Sequence, residues 1–93
     1  MLTTEFFNDQ IEKARDSGYS FAVSQLEEIR DLVAGNNASE QRDLLQSRID
    51  HMSAEMNELE QFSREYQLFW SKRSIADNLL YYLNFHYGDG DEE

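Results

Sequence analysis

Apolar residues recur along this chain at steps of three and four, the spacing that gathers them on one side of an α-helix. Phe7, Ile11 and Ala14 form the first such line, between Thr3 or Thr4 as candidate N-cap and Ser17-Gly18 as stop, which predicts a helix over 4–17. Ser20 is the candidate cap of a second helix over 20–34. There Val23, Leu26, Ile29, Leu32 and Val33 run to Gly35-Asn36-Asn37, a C-cap and turn signal. Asn37 followed by Glu40 then satisfies the capping-box pattern, with Ser39 as a competing cap. Beyond it Leu45, Ile49, Met52, Met56 and Leu59 step 4-3-4-3, as the a and d positions of a coiled coil do. The next position of that register is Ser63, and the apolar line moves to Phe62, Tyr66 and Phe69, an inserted step of three that disturbs a regular supercoil.

Proline is absent and glycine limited to Gly18, Gly35, Gly88 and Gly90, so nothing in 38–70 forbids helix. One helix of about 33 residues, about 50 Å long, is expected there. Ser74 and Asp77 repeat the capping-box pattern, which places a break near Ser71-Lys72-Arg73-Ser74 and a last helix over 74–86 bearing Ile75, Leu79, Leu80 and Leu83. The alternative is one continuous helix to about His86. The expected fold is all-α: a small elongated helical hairpin or bundle built around one long helix, one domain over 1–87, with an acidic tail over 88–93.

Ninety-three residues leave room for one modest core, and two upstream helices of 12–15 residues cover a 50 Å stripe only by packing on it efficiently. The stripe Leu45, Ile49, Met52, Met56, Leu59, continued by Tyr66 and Trp70, is therefore read as core or as the seam of a homodimer. Six Phe, five Tyr and one Trp rule out the composition of a disordered acidic tail. Most of these rings are expected to close the short helices over the long one, with Trp70 the best candidate for a partner contact.

Charge changes the functional reading more than the fold. The formal net charge is −11, and the acidic excess is spread: seven acidic against three basic residues over 1–37, seven against three over 38–70, five against two over 71–93. Such a surface repels nucleic acid and anionic membranes and attracts basic proteins. It also exceeds the net charge of about 2–8 that solubility asks of a small domain. In size and charge distribution, though in no motif, the chain resembles the small acidic phage and bacterial DNA mimics that block DNA-binding proteins and restriction enzymes. The resemblance implies inhibition or modulation of a basic DNA-binding protein or nuclease. Asp43, Asp50, Glu55, Glu58 and Glu65, with Glu27, Glu28 and Asp31 from the second helix, are the carboxylates expected to meet it. The alternative is a coiled-coil adaptor, small chaperone or assembly subunit whose partner helix docks on the apolar stripe.

Enzyme chemistry finds no foothold. HExxH, the phosphate-loop pattern and GxSxG are all missing, His51 and His86 read as structural or exposed, and Glu55, Glu58 and Glu65 lack the Glu-x-x-His partner of a di-iron bundle. Asp89, Asp91 and Glu92 stop short of a calcium loop. No cofactor, metal, direct nucleic-acid contact or membrane contact is expected. The first residues lack the basic-then-apolar pattern of a signal peptide, and cysteine is absent, so the expected location is cytoplasmic.

Overall fold

Thr3 starts the first helix as its sequence position suggests: its hydroxyl accepts the Phe6 N–H at 3.0 Å. In the computed structural model, which describes residues 1–87, α1 spans Thr4–Asp16, α2 Ser20–Val33, α3 Ala38–Asn57 and α4 Arg64–Tyr87, and no strand occurs among the described residues. The expected tail 88–93 lies outside them. Gly18 at φ +80° and Gly35 at φ +87° make the turns after α1 and α2, a backbone state that other residues enter at a cost. Ser20 is not a cap; Tyr19 precedes α2 and gives no side-chain cap bond. Asn37 is the cap of α3, accepting the Glu40 N–H at 2.9 Å while Glu40 accepts the Asn37 N–H at 3.0 Å.

The expected long helix over 38–70 does not form. α3 ends at Asn57, and the chain turns through 58–63 before α4 begins at Arg64. Two causes meet there. The last turn of α3 has no basic residue and carries Glu55, with Glu58 as its C-cap, so like charge sits on the negative end of the helix dipole. Ser63, the misfit of the apolar register, serves as a cap for the next helix, its hydroxyl accepting the Tyr66 N–H at 3.1 Å. Phe62 between them adopts φ +74°. The break expected at 71–74 is absent, and α4 runs unbroken through Ser74 and Asp77.

Reversing the chain at 58–63 lets α4 cover the stripe that an extended helix would leave open. Arg42 Nε donates to Asn84 Oδ1 at 2.7 Å and Arg73 to Ser53 Oγ at 3.2 Å, pairings that fix α3 and α4 as an antiparallel hairpin. α1 and α2 form a second hairpin, tied by Arg30 to Asn8 at 2.9 Å. The core gathers Phe7 and Ile11 of α1, Leu26, Ile29 and Val33 of α2, Leu45 and Ile49 of α3, and Ala76, Leu79 and Leu83 of α4. Met52 and Met56 are buried toward the connection. Each large aliphatic so buried contributes about 1.5–3 kcal/mol, which outweighs the few hydrogen bonds lost by ending α3 early. The molecule measures 41 × 31 × 20 Å, shorter than the 50 Å rod the uninterrupted helix implied.

Candidate functional site

Five of the eight basic residues sit deeper than the carboxylates, and Lys13, Arg15 and Arg64 are exposed. Arg30, Arg42, Arg48, Lys72 and Arg73 are half-buried, whereas every carboxylate among the described residues except Glu27 is exposed. Arg30, Arg42, Arg48 and Arg73 are bonded between helices. Arg48 illustrates this: one terminal nitrogen donates to Gln25 at 3.1 Å and to Glu28 at 2.7 Å, so a cation of α3 is held against α2 with its side chain only 14% exposed. Its Nε is buried without a hydrogen-bond partner. Lys72 sits 5.3 Å from the centre of the Phe69 ring. Five of the eight cations are thus drawn toward the bundle, while Lys13, Arg15 and Arg64 stay exposed beside the carboxylates.

The carboxylates expected to form one surface separate into three groups. Asp43 and Asp50, seven residues apart, share one exposed side of α3, and Asp50 accepts a bond from Gln46 at 3.0 Å. Glu27, Glu28 and Asp31 lie on α2, where Glu28 is paired with Arg48 and Asp31 with Arg30 at 3.2 Å. Glu58 and Glu65 do not continue the Asp43–Asp50 line, because the helix that would have carried them ends at Asn57, and Glu55, in the last turn of α3, lies about 140° round the helix from Asp50. They gather instead at the α3–α4 connection with Glu60. No Lys or Arg lies between Arg48 and Arg64 in the sequence, and among the described residues no cation pairs with the side chains of Glu55, Glu58, Glu60 or Glu65.

In the same connection, between Glu60 and Glu65 in the sequence, Phe62 is 80% exposed. A bulky residue at positive φ is costly, and an exposed ring gains nothing from packing, so the position is maintained against local preference. By sequence Phe62 falls among the rings expected to close the bundle; the out-of-register Ser63 and the cation-free run before Arg64 are the local features that mark a turn instead.

The apolar residues sort just as clearly. Leu45, Ile49, Met52 and Met56 are buried within their own chain, Leu59 and Tyr66 are half-buried, and Trp70 is 52% exposed. The stripe to which both a dimer seam and a docked partner helix were assigned is therefore filled by α4. The expected closure by aromatic rings is realised at Phe6, which meets Phe7 at 5.5 Å and Tyr82 at 4.7 Å between ring centres, and fails at Phe62, Trp70, Tyr81 and Phe85, which face outward. Not every exposed face is negative, since the outward side of α4 is largely aromatic.

His51 and His86 are both exposed, and His86 lies against Tyr82 and Phe85. Among the described residues no group of three or more His, Asp or Glu side chains is placed to hold a metal ion, and no helix is long and apolar enough to cross a membrane. The surface depressions are open. One is lined by Leu32, Leu44, Ser47, Arg48 and His51. Comparison with protein-family models, curated proteins and solved structures finds no match, so the arrangement of these side chains is what the functional reading rests on.

Proposed function

We propose that this protein is a non-enzymatic acidic binding protein that occupies the nucleic-acid-binding surface of a basic protein and so inhibits or modulates it. The observation that carries the reading is the partial separation of charge by depth: four half-buried arginines are bonded between helices, and all described carboxylates but Glu27 are exposed, against three exposed cations, Lys13, Arg15 and Arg64. Each exposed carboxylate can accept two parallel bonds from an arginine or one ion pair from a lysine that would otherwise hold a phosphate. A long dimension of 41 Å matches about 12 base pairs of duplex at 3.4 Å each, enough to overlap a compact DNA-binding surface. The acidic tip at the α3–α4 connection supplies the densest contact, with Phe62 as an apolar anchor in the same connection. The proposed site of action is the cytoplasm.

Competition decides the matter. Candidate basic DNA-binding proteins are loaded with labelled duplex, and this protein is titrated in at several salt concentrations. The expected result is displacement of duplex that weakens steeply as salt rises, with Glu55→Lys, Glu58→Lys and Glu65→Lys together lowering the affinity at least about tenfold while helicity is unchanged. Binding that ignores both added duplex and salt, or that survives the triple reversal, refutes the reading.

A further inference from the structure

The outward side of α4 differs in kind from the rest of the surface. Helices α1, α2 and α3 each carry more acidic than basic residues, whereas the outward side of α4 carries one charged residue, Asp77, since Lys72 and Arg73 are half-buried and Arg73 is bonded to Ser53 of α3. At about 100° per residue, Trp70, Ser74, Asp77, Tyr81 and Phe85 fall within a sector of about 80°, opposite the buried Ala76, Leu79 and Leu83. Trp70 is 52%, Tyr81 71% and Phe85 73% exposed. Tyr81 and Phe85 are already stacked, ring centres 6.3 Å apart and planes 13° from parallel, so part of the ordering cost of an interface is met in the single chain.

We infer that this face pairs with a second copy of the chain, α4 against α4 in antiparallel register about a two-fold axis between positions 77 and 78. The sequence of the face reads as its own complement in that register. Trp70 of one chain falls opposite Phe85 of the other, the small Ser74 opposite the large Tyr81, and Asp77 opposite the amide of Asn78. Ring meets ring at both ends, and between them a large side chain meets a small one, as interdigitating helices require.

The area is sufficient for a modest dimer. At about 200 Å² for a fully exposed ring, the three rings offer about 400 Å² per chain, and a symmetric pair buries about 800 Å² from them alone. The polar residues between and beside them carry the total past about 1,000 Å², the low end of specific interfaces. Charge selects this face over the others, because it is where two chains of net charge −11 meet without opposing rows of carboxylates. Asp77 near the axis is the exception. Two such carboxylates approaching each other weaken the pair, so neutralising them strengthens it.

Absence of cysteine makes the geometry directly testable. Asp77→Cys places one thiol per chain beside the axis, close enough to its symmetry mate for a disulfide, whose Cα atoms lie at most about 7 Å apart. Under mild oxidation this variant is expected to form covalent dimer at least about tenfold faster than Gln46→Cys on the exposed side of α3, and the added change Tyr81→Glu should abolish the difference. Sedimentation of the unmodified chain over about 1–300 µM should show a reversible dimer, strengthened by Asp77→Asn and lost with Tyr81→Glu, with circular dichroism reporting intact helix throughout. A monomer across that range, equal cross-linking rates for the two cysteine variants, or a dimer indifferent to Tyr81→Glu overturns the inference. Loss of a basic partner's binding on Trp70→Glu in a chain that stays monomeric overturns it too, and assigns the face to that partner. The inference is independent of the acidic surface, since Glu55, Glu58 and Glu65 reversals leave the predicted dimer in place.

Discussion

Gln41 is fully buried yet leaves no side-chain polar atom unpaired. Its Oε1 accepts the Leu2 N–H at 2.7 Å, and its Nε2 donates to the carbonyls of Leu2 at 2.8 Å and Val33 at 3.2 Å. One amide thereby fastens the start of the chain and the end of α2 to the first turns of α3. Gln41→Leu keeps the bulk but strips the partner from the Leu2 N–H and carbonyl, while the Val33 carbonyl still accepts from Asn36, and a loss of about 2 kcal/mol in urea unfolding is expected; a loss under about 0.5 kcal/mol means that the Leu2 groups find other partners. Nothing in the sequence marked this residue. A glutamine in a helical run reads as surface, and its partner Leu2 stands 39 positions away. Phe62 gives the opposite sign. Phe62→Gly relieves a side chain held at φ +74° and should stabilise the fold by about 1 kcal/mol, while an anchor role at the acidic tip requires the same change to weaken partner binding. A variant more stable and equally competent to bind removes Phe62 from the site.

Capping patterns located two helix starts and misplaced two, at Ser20 and Ser74, while apolar periodicity found the buried faces but not where α3 ends. Thr3 and the Asn37–Glu40 box sit where the sequence placed them, because a cap is decided by side chains within four residues of one another. Asn37→Ala is accordingly expected to cost about 1 kcal/mol, read as a lower thermal midpoint with unchanged helical content. The 4-3-4-3 stripe was equally visible, but what covers it depends on contacts far along the chain. Read locally, an inserted step of three disturbs a supercoil without ending a helix; in the folded chain it coincides with the turn that returns α4 over Leu45, Ile49, Met52 and Met56. Burial of that stripe decided between two locally similar choices, and the Ser74–Asp77 box, with no comparable gain from a break, went unused. The same fact revises what a charged substitution in the stripe does. Met52→Glu places a carboxylate at a side chain 6% exposed in a single chain, so it should lower stability by more than about 2 kcal/mol at any protein concentration, whereas a dimer-only seam would leave the diluted chain folded.

For the whole molecule, salt should act on folding and on partner binding with opposite signs. At about 10 mM salt the Debye length is about 30 Å, comparable with the 41 × 31 × 20 Å dimensions, so carboxylates on every helix repel one another across the entire bundle. At about 0.3 M it shrinks to about 6 Å, and only neighbours interact. The attractive contacts that oppose this repulsion are short and partly sheltered: Arg48 meets Glu28 at 2.7 Å, and Arg30, Arg42 and Arg73 are hydrogen-bonded between helices. Screening therefore removes more repulsion than attraction. If it recovers about 1 kcal/mol, the thermal midpoint of a domain this size rises by about 4–8 °C between those two salt concentrations. Dimerisation through α4 would add to the same trend, so the scan is run at two protein concentrations, and the intrinsic part is the rise that persists on dilution. Binding to a basic partner through the outward carboxylates must instead weaken over the same interval. A midpoint that falls with salt would mean that surface ion pairs such as Lys13–Asp9 hold the fold together, and the half-burial of the inter-helix arginines beneath exposed carboxylates would lose its energetic meaning.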